Sequence, residues 1–522
     1  VAGCGGIGPD LRPSRCFALL IELFLTFVMT SKIGKDRFWE ECGLIAVWNH
    51  GEAANLAYLG LYAQQHRGQE GAGVVTLDTG GGAPGLHVQR GLGLVSDVFQ
   101  GFDFSRLPGR NAIGHVRYST AGTGALANVQ PMHAEISLGR IAVAHNGNLI
   151  NAESLRHELI KGGAIFASNS DTEIFLHLLA RAPRKVMNSS SLFVEALITA
   201  LGKVRGAYSL LLLCEDRLFA VRDPNGFRPL SIGTLNGALL VASETCAFDL
   251  VGAKYLRDVS PGEIVEVSGD SELKSYFPFG VSHYSPCIFE FIYFARPDSN
   301  VFGRNVYAVR KQMGRELACE HPASADYVIA VPDSGTTAAL GYAAQSGIPY
   351  EQGLIRNHYV GRTFIEPRQS IRDFGVRVKL NPNPELLKGK SVVVVDDSIV
   401  RGTTCKKLVK MLRAAGAREL HLRVSAPPTR GPCFYGIDTP RKEDLIAARL
   451  SVSEIAAHLG VDSLGYLSIE GLYRAVEATP VLAPGGPDGS GISGGRFCDA
   501  CFSGRYPIGT PADFGKRQTE LF

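Results

Sequence analysis

Ser391-Val392-Val393-Val394-Val395-Asp396-Asp397-Ser398-Ile399-Val400-Arg401-Gly402-Thr403-Thr404 decides how the second half of this chain folds. Consecutive valines read as a strand buried on both faces, the kind found inside a parallel sheet. Two adjacent carboxylates end it. They repel each other unless a cation or hydroxyl groups hold them. Gly402, Thr403 and Thr404 then open an amphipathic helix with Leu408, Val409, Met411, Leu412 and Ala415 on its apolar side, and Gly416 suits the residue just past its end. The start of such a helix offers unpaired N–H groups and a positive dipole end to a phosphate. This order predicts a ligand site at the carboxyl end of a parallel strand.

A second apolar run, 327–331, leads into Val331-Pro332-Asp333-Ser334-Gly335-Thr336-Thr337. Strand, small polar loop and helix recur, so 281–483 is expected to be an α/β domain. The texture before it differs. Within 42–280, short strands are expected at 43–47, 112–116, 141–144 and 208–213, with helices at 171–181 and 191–203. That pattern predicts a layered α+β domain. The segment 484–522 begins as a glycine-rich linker and ends as a tail carrying Cys498-Asp499-Ala500-Cys501.

Composition narrows the function. The chain has 522 residues, a formal net charge of +3, 45% apolar and 20% charged residues. No basic stripe interleaved with aromatics occurs, which argues against nucleic acid as a partner. The apolar run 17–29 is interrupted by Glu22 and is shorter than the roughly 20 residues a membrane span needs, so no membrane association is expected. Met29 is the first methionine, and translation is expected to start there, with 1–41 a leader and propeptide that is removed. The 11 cysteines are odd in number and mostly isolated, which suits a reducing cytoplasm better than a disulfide framework.

Polar clusters punctuate the first domain: Glu41-Cys42-Gly43, Gln65-His66-Arg67-Gly68-Gln69-Glu70, Gly114-His115-Val116-Arg117-Tyr118-Ser119-Thr120, His145-Asn146-Gly147-Asn148-Leu149 and Ser170-Asp171-Thr172-Glu173. Singly, each could be a turn or a salt bridge. In this order they resemble the class II, N-terminal-nucleophile glutamine amidotransferases. The resemblance implies an αββα four-layer sandwich in which Cys42 becomes the N-terminus. Its thiolate attacks the glutamine amide and its α-amino group, with a pKa near roughly 7.7–8.0, is the base. It further implies Arg117 at the glutamine carboxylate, Asp171 at the ammonium, and Asn146 with the Gly147 N–H as oxyanion hole. His66 and Arg67 read as support for that pocket.

The Asp396-Asp397 run resembles the phosphoribosyl diphosphate (PRPP) motif of type I phosphoribosyltransferases. This implies Asp396 and Asp397 at the ribose hydroxyls and Mg²⁺, and Ser398, Arg401, Gly402, Thr403 and Thr404 around the 5-phosphate. Ser334 matches the pyrophosphate loop as a further Mg²⁺ ligand, and Arg362, within Arg356-Asn-His-Tyr-Val-Gly-Arg362-Thr363-Phe364, matches the flexible catalytic loop.

Cys287, Cys433, Cys498 and Cys501 form one close pair and two distant singles, compatible by spacing with zinc, an iron–sulfur cluster or neither. Both units in one chain resemble the amidophosphoribosyltransferase (glutamine PRPP amidotransferase) family. That family's implied reaction turns glutamine, PRPP and water into 5-phospho-β-D-ribosylamine, glutamate and pyrophosphate, with ammonia passing between two sites. The propeptide-bearing branch implies a [4Fe–4S] cluster on those four cysteines, with a glycine-rich lengthening before Cys498 as this chain's departure. The family also implies purine nucleotides as feedback inhibitors and a homotetramer. Two rivals remain: another class II amidotransferase, against which the PRPP motif argues, and a non-enzymatic PRPP-binding regulator, against which the Cys42 pocket argues.

Overall fold

The computed structural model describes residues 42–80, 85–118, 126–182, 189–280, 283–357, 379–481 and 497–514. These belong to one compact unit. The expected leader 1–41, Arg362 and the linker 484–495 lie outside the described residues.

Two antiparallel sheets build the first half. The strands are β1 (Gly43–Trp48), β2 (Gly71–Asp78), β3 (Gly85–Leu92), β4 (Asn111–Arg117), β5 (Met132–Ile136), β6 (Gly139–Leu149), β7 (Gly206–Cys214), β8 (Arg217–Arg222), β9 (Ser231–Leu235), β10 (Ala238–Ala242), β11 (Lys254–Asp258), β12 (Ile264–Ser268) and β13 (Glu272–Tyr276). One sheet runs β11-β9-β10-β1-β4-β2-β3 and the other β13-β12-β8-β7-β6-β5. Side chains alternate across each strand. On β1, Leu44, Ala46 and Trp48 face Leu211, Leu213 and Ala220 of the other sheet. Ile45 and Val47 face the opposite way, onto Ala57 and Leu61 of the helix Ala53–Ala63 and onto Phe248. On the far side of the second sheet, Val143, Leu210 and Leu212 pack on Phe175 and Leu197, from the helices Thr172–Ala180 and Ser189–Leu201.

Small pairings, β14 (Asn300–Val301) with β15 (Arg304–Asn305) and later β17 (Leu354–Arg356) with β18 (Leu380–Pro382), flank the second half. Its main sheet is parallel and contains β16 (Tyr327–Ala330), β19 (Ser391–Asp396), β20 (Glu419–Val424) and β21 (Ser463–Tyr466), in that order across the sheet. The valines of β19 are buried, and helices cover both faces. Val393 and Val395 meet Met313, Ala338 and Tyr342. Val392 and Val394 meet Leu408, Leu412 and Ile455. Gly402 is in the left-handed region at φ 79° and precedes the helix Thr403–Ala414, while Gly416 is left-handed at φ 93° just past its end. Both glycines stand where the sequence places turns that an L side chain rarely adopts.

Candidate active sites

Cys42 lies immediately before β1, buried, with Sγ 3.6 Å from the Tyr118 carbonyl oxygen. Burial pushes its thiol up to about 11, although Arg117 and Arg67 nearby pull the other way. Beneath it, Arg67 donates from Nε to the Cys42 carbonyl oxygen at 3.1 Å. The same guanidinium pairs with Glu244 at 2.5 Å and with Glu290 at 2.8 Å, all three side chains fully buried. Glu244 also accepts from Ser299 Oγ and the Arg296 N–H, and meets His66 Nε2 at 2.8 Å. So His66 and Arg67 do support the pocket, through an ion cluster reaching residues 290–299.

The other residues of the pocket come from β4, β6 and the start of the helix Thr172–Ala180. Arg117 ends β4, is buried, and its Nη1 lies 3.8 Å from Glu70. Asp171 accepts the Leu149 N–H at 3.0 Å and faces His145 Nδ1 at 3.4 Å. Burial alone would raise its carboxyl, but His145 and the N–H groups of Leu149 and Thr172 outweigh that and hold it below the usual carboxylate range. Asn146 sits on β6, and its Nδ2 is buried without a hydrogen-bond partner. Gly147 is at φ +146°, and a Cβ there would stand 2.1 Å from the Ala207 carbonyl oxygen, so only glycine fits. An unspent amide donor next to a glycine backbone suits a developing oxyanion; one such donor contributes roughly 2.7–4 kcal/mol to a transition state.

At the carboxyl end of β19, Asp396 and Asp397 are both buried. Asp396 accepts the Asp397 N–H at 3.0 Å, and Ser398 Oγ donates to Asp397 at 2.5 Å. Arg401 reaches Asp444 at 3.2 Å, while its Nε is buried without a hydrogen-bond partner. Across the sheet end, the loop after β16 carries Ser334, whose buried Oγ likewise has no hydrogen-bond partner. Asp333 pairs with Arg356. The unpartnered Ser334 Oγ and the two buried carboxylates are hard oxygen donors that fit a cation such as Mg²⁺, and the unspent Arg401 Nε donor fits a phosphate oxygen.

The four cysteines converge from three chain segments. Cys287 bridges Cys498 as paired backbone, the Cys498 N–H donating to the Pro286 carbonyl oxygen at 2.8 Å. Arg430 and Gly431 donate to the Cys501 carbonyl oxygen at 2.9 and 3.0 Å, which brings the Cys433 segment to the same place. All four thiols are free. Burial, reinforced by neighbouring cysteines, pushes Cys287 up to about 12 and Cys498 and Cys501 well above their ordinary value. Tyr435 donates its N–H to Cys433 Sγ at 3.3 Å. Among the described residues, no three His, Cys, Asp or Glu side chains are grouped as ligands of one metal ion.

The fold and the Cys42 pocket define a glutamine amidotransferase joined to a parallel-sheet half, and residues 115–249 match the family model described as a glutamine amidotransferase domain. Amidophosphoribosyltransferase 3, chloroplastic, of Arabidopsis thaliana is 50% identical over 477 residues, covering 91% of this chain and 85% of the relative. The Bacillus subtilis (strain 168) amidophosphoribosyltransferase is 47% identical over 469 residues, covering 90% and 94%. A solved structure of the glutamine PRPP amidotransferase from B. subtilis, complexed with ADP and GMP, superposes with a TM-score of 0.80 at 46% identity, covering 90% of this chain and 98% of that one. The chain belongs to the amidophosphoribosyltransferase family, the enzymes of the first step of purine biosynthesis. Several plant relatives are named chloroplastic, so the expected cytoplasmic location does not follow from membership. Among the described residues no helix is long and apolar enough to cross a membrane.

Reading by motif passed over Glu244 and Glu290. Glu244 lies in Ala242-Ser243-Glu244-Thr245, where nothing distinguishes it from a surface carboxylate. The one available signal was Glu290, a charge inside the aromatic run 289–294, where burial demands a partner.

Proposed function

We propose that residues before Cys42 are removed, and that Cys42 then hydrolyses glutamine while Asp396 and Asp397 hold PRPP for attack by the released ammonia. The observation carrying this reading is a buried cysteine beside Arg117 and Asp171, together with a buried Asn146 amide on β6 that has no hydrogen-bond partner. With chain still preceding it, a thiol near about 11 is only roughly one-thousandth thiolate at pH 8. Freeing the α-amine supplies a base at the nucleophile itself. Cys42 Sγ attacks the glutamine amide carbon, Asn146 and the Gly147 N–H stabilise the oxyanion, and the amine passes its proton to departing ammonia. Water then cleaves the thioester to glutamate. Arg117 and Asp171 orient the amino acid's carboxylate and ammonium. Ammonia displaces pyrophosphate from PRPP after crossing within the protein.

Ser334, Asp396 and Asp397 are the residues that would hold Mg²⁺, with Ser398, Arg401, Gly402, Thr403 and Thr404 around the 5-phosphate and Arg362 closing on pyrophosphate. Bound Mg²⁺ supplies charge neutralisation for that leaving group. Cys287, Cys433, Cys498 and Cys501 would hold a [4Fe–4S] cluster, a reading supported by four free thiols whose chain segments converge. The helix–sheet–sheet–helix packing order supports the αββα reading of the first half. A homotetramer inhibited by purine nucleotides completes the proposal; the B. subtilis structure described with ADP and GMP supports the second part.

Intact mass and iron analysis of anaerobically purified protein test processing and metal together. Cys42→Ala should abolish glutamine-dependent phosphoribosylamine formation and keep the ammonia-dependent reaction. Activity in a chain still extended before Cys42 would overturn the base assignment.

A further inference from the structure

The oxyanion strand of the first half does not stand alone; it is clamped by a turn of the second half. Asn148, next to Gly147, donates from Nδ2 to the Phe434 carbonyl oxygen at 2.9 Å, across 286 residues of sequence. Two residues on, Gly436 at φ +118° lies so close that a Cβ there would be 3.1 Å from Gly147 Cα and 3.2 Å from its carbonyl carbon. The carbonyl oxygen between them, that of Tyr435, accepts from Arg228 Nε at 3.0 Å and Nη2 at 2.7 Å. Arg228 is fully buried, and its Nη1 lies 3.6 Å from Glu290. Phe227 stacks on Tyr435 at 4.5 Å between ring centroids. Every backbone position from 434 to 436 therefore contacts the first half, Phe434 at Asn148, Tyr435 at Arg228 and Gly436 at Gly147 itself.

We infer that the turn 434–436, through Asn148 and Gly436, is the positioning device for the oxyanion hole, so the second half sets the geometry of glutamine cleavage. The inference rests on the proposed reading of Asn146 and Gly147. An oxyanion donor misplaced by even about half an ångström loses most of its worth, because its hydrogen bond strengthens only in the transition state. Asn148 spends its amide donor on the Phe434 carbonyl and not on Cys42. Its loss should thus act on turnover and not on binding.

The test compares Asn148→Ala, Asn148→Asp and Gly436→Ala with the parent protein, PRPP and Mg²⁺ present and either glutamine or ammonium chloride as nitrogen source. Asn148→Asp keeps the shape and sets a carboxylate against the Phe434 carbonyl. Expected is at least a tenfold fall in kcat with glutamine, KM for glutamine within twofold, and ammonia-dependent rates within twofold. Asn148→Gln, which keeps the donor, should recover part of the loss. Unchanged glutamine turnover in all three variants overturns the inference. So does a parallel fall of both activities, which marks mere loss of structure, or a rise in KM alone. Should a variant fold poorly, the rate at which a chloroketone analogue of glutamine alkylates Cys42 in the folded fraction separates the same outcomes without turnover. Asn146→Ala separates the two layers: if it leaves glutamine turnover intact, the oxyanion reading itself fails; if it abolishes turnover and the Asn148 variants do not, only the clamp fails.

Discussion

Arg67 has no solvent to share its charge. Burial by itself would weaken the guanidinium's hold on its proton, but Glu290 and Glu244 raise it instead, and it stays a cation. Burial would likewise raise Glu244, but His66 and Arg67 outweigh it and hold that carboxyl well below the usual range. Both partners therefore stay ionised. Removing one leaves a buried charge short of compensation, a loss of about 3–5 kcal/mol. Glu244→Gln should destabilise the protein by that order in urea unfolding at pH 7. A carboxyl depressed in the folded state contributes stability that is full above its ordinary value of 4.5 and fades as pH falls below it. The gap between parent and variant should accordingly narrow below about pH 4.5, and a gap that widened in acid would contradict the ionised pair. His66 and Arg67 could be read from the sequence as support for the pocket, and Glu290 as a charge in an aromatic run, but not their pairing. Charged residues are surface residues by default, and Arg67 finds its two carboxylates 177 and 223 positions away.

At the scale of elements, the valine strand and the helix after it were legible because each local signal agreed: burial on both faces, a glycine at the turn, a polar and an apolar helix side. The Asp396-Asp397 pair stood out at the end of that strand, whereas Cys42 was singled out only through the resemblance of its motifs to the class II amidotransferases. What the pattern did not expose is how closely two helices of the second half approach. At Gly314, on the helix Val306–Glu320, a Cβ would fall 1.9 Å from the Ala338 carbonyl oxygen, and at Gly341, on the helix Thr336–Ser346, 1.9 Å from that of Lys311. The backbones touch, and neither obstacle is a side chain that could swing away. The second helix begins directly after Gly335, one residue beyond Ser334, so the crossing also fixes the loop proposed to bind pyrophosphate. Gly314→Ala should cost about 1–3 kcal/mol through overpacking and raise KM for PRPP, while alkylation of Cys42 by a glutamine analogue proceeds as before. An unchanged KM would show that the loop is set by something other than the crossing.

Across the whole molecule, the tail 497–514 and the turn 433–436 form one structure against the first half. Tyr435 Oη donates to the Gly509 carbonyl oxygen at 2.7 Å and accepts the Ile508 N–H, and Tyr506 Oη donates to the Pro432 carbonyl oxygen at 2.6 Å. Phe502 stacks near Phe289, and Phe497 packs against Phe291 and Phe302. Four thiols lie at the centre of this assembly, and those of Cys287, Cys498 and Cys501, with their proton affinities raised, stay neutral unless a metal group draws off the protons. A group bound there links three chain segments that backbone hydrogen bonds and aromatic packing otherwise hold alone. If the proposed cluster is bound, stripping it with a chelator should make the tail a site of proteolytic cleavage, read by mass spectrometry. Because the turn carrying Cys433 also clamps Asn148, glutamine-dependent activity should decline ahead of ammonia-dependent activity. The reverse order, or a tail equally resistant with and without metal, would show that the four cysteines do not brace the junction between the two sites.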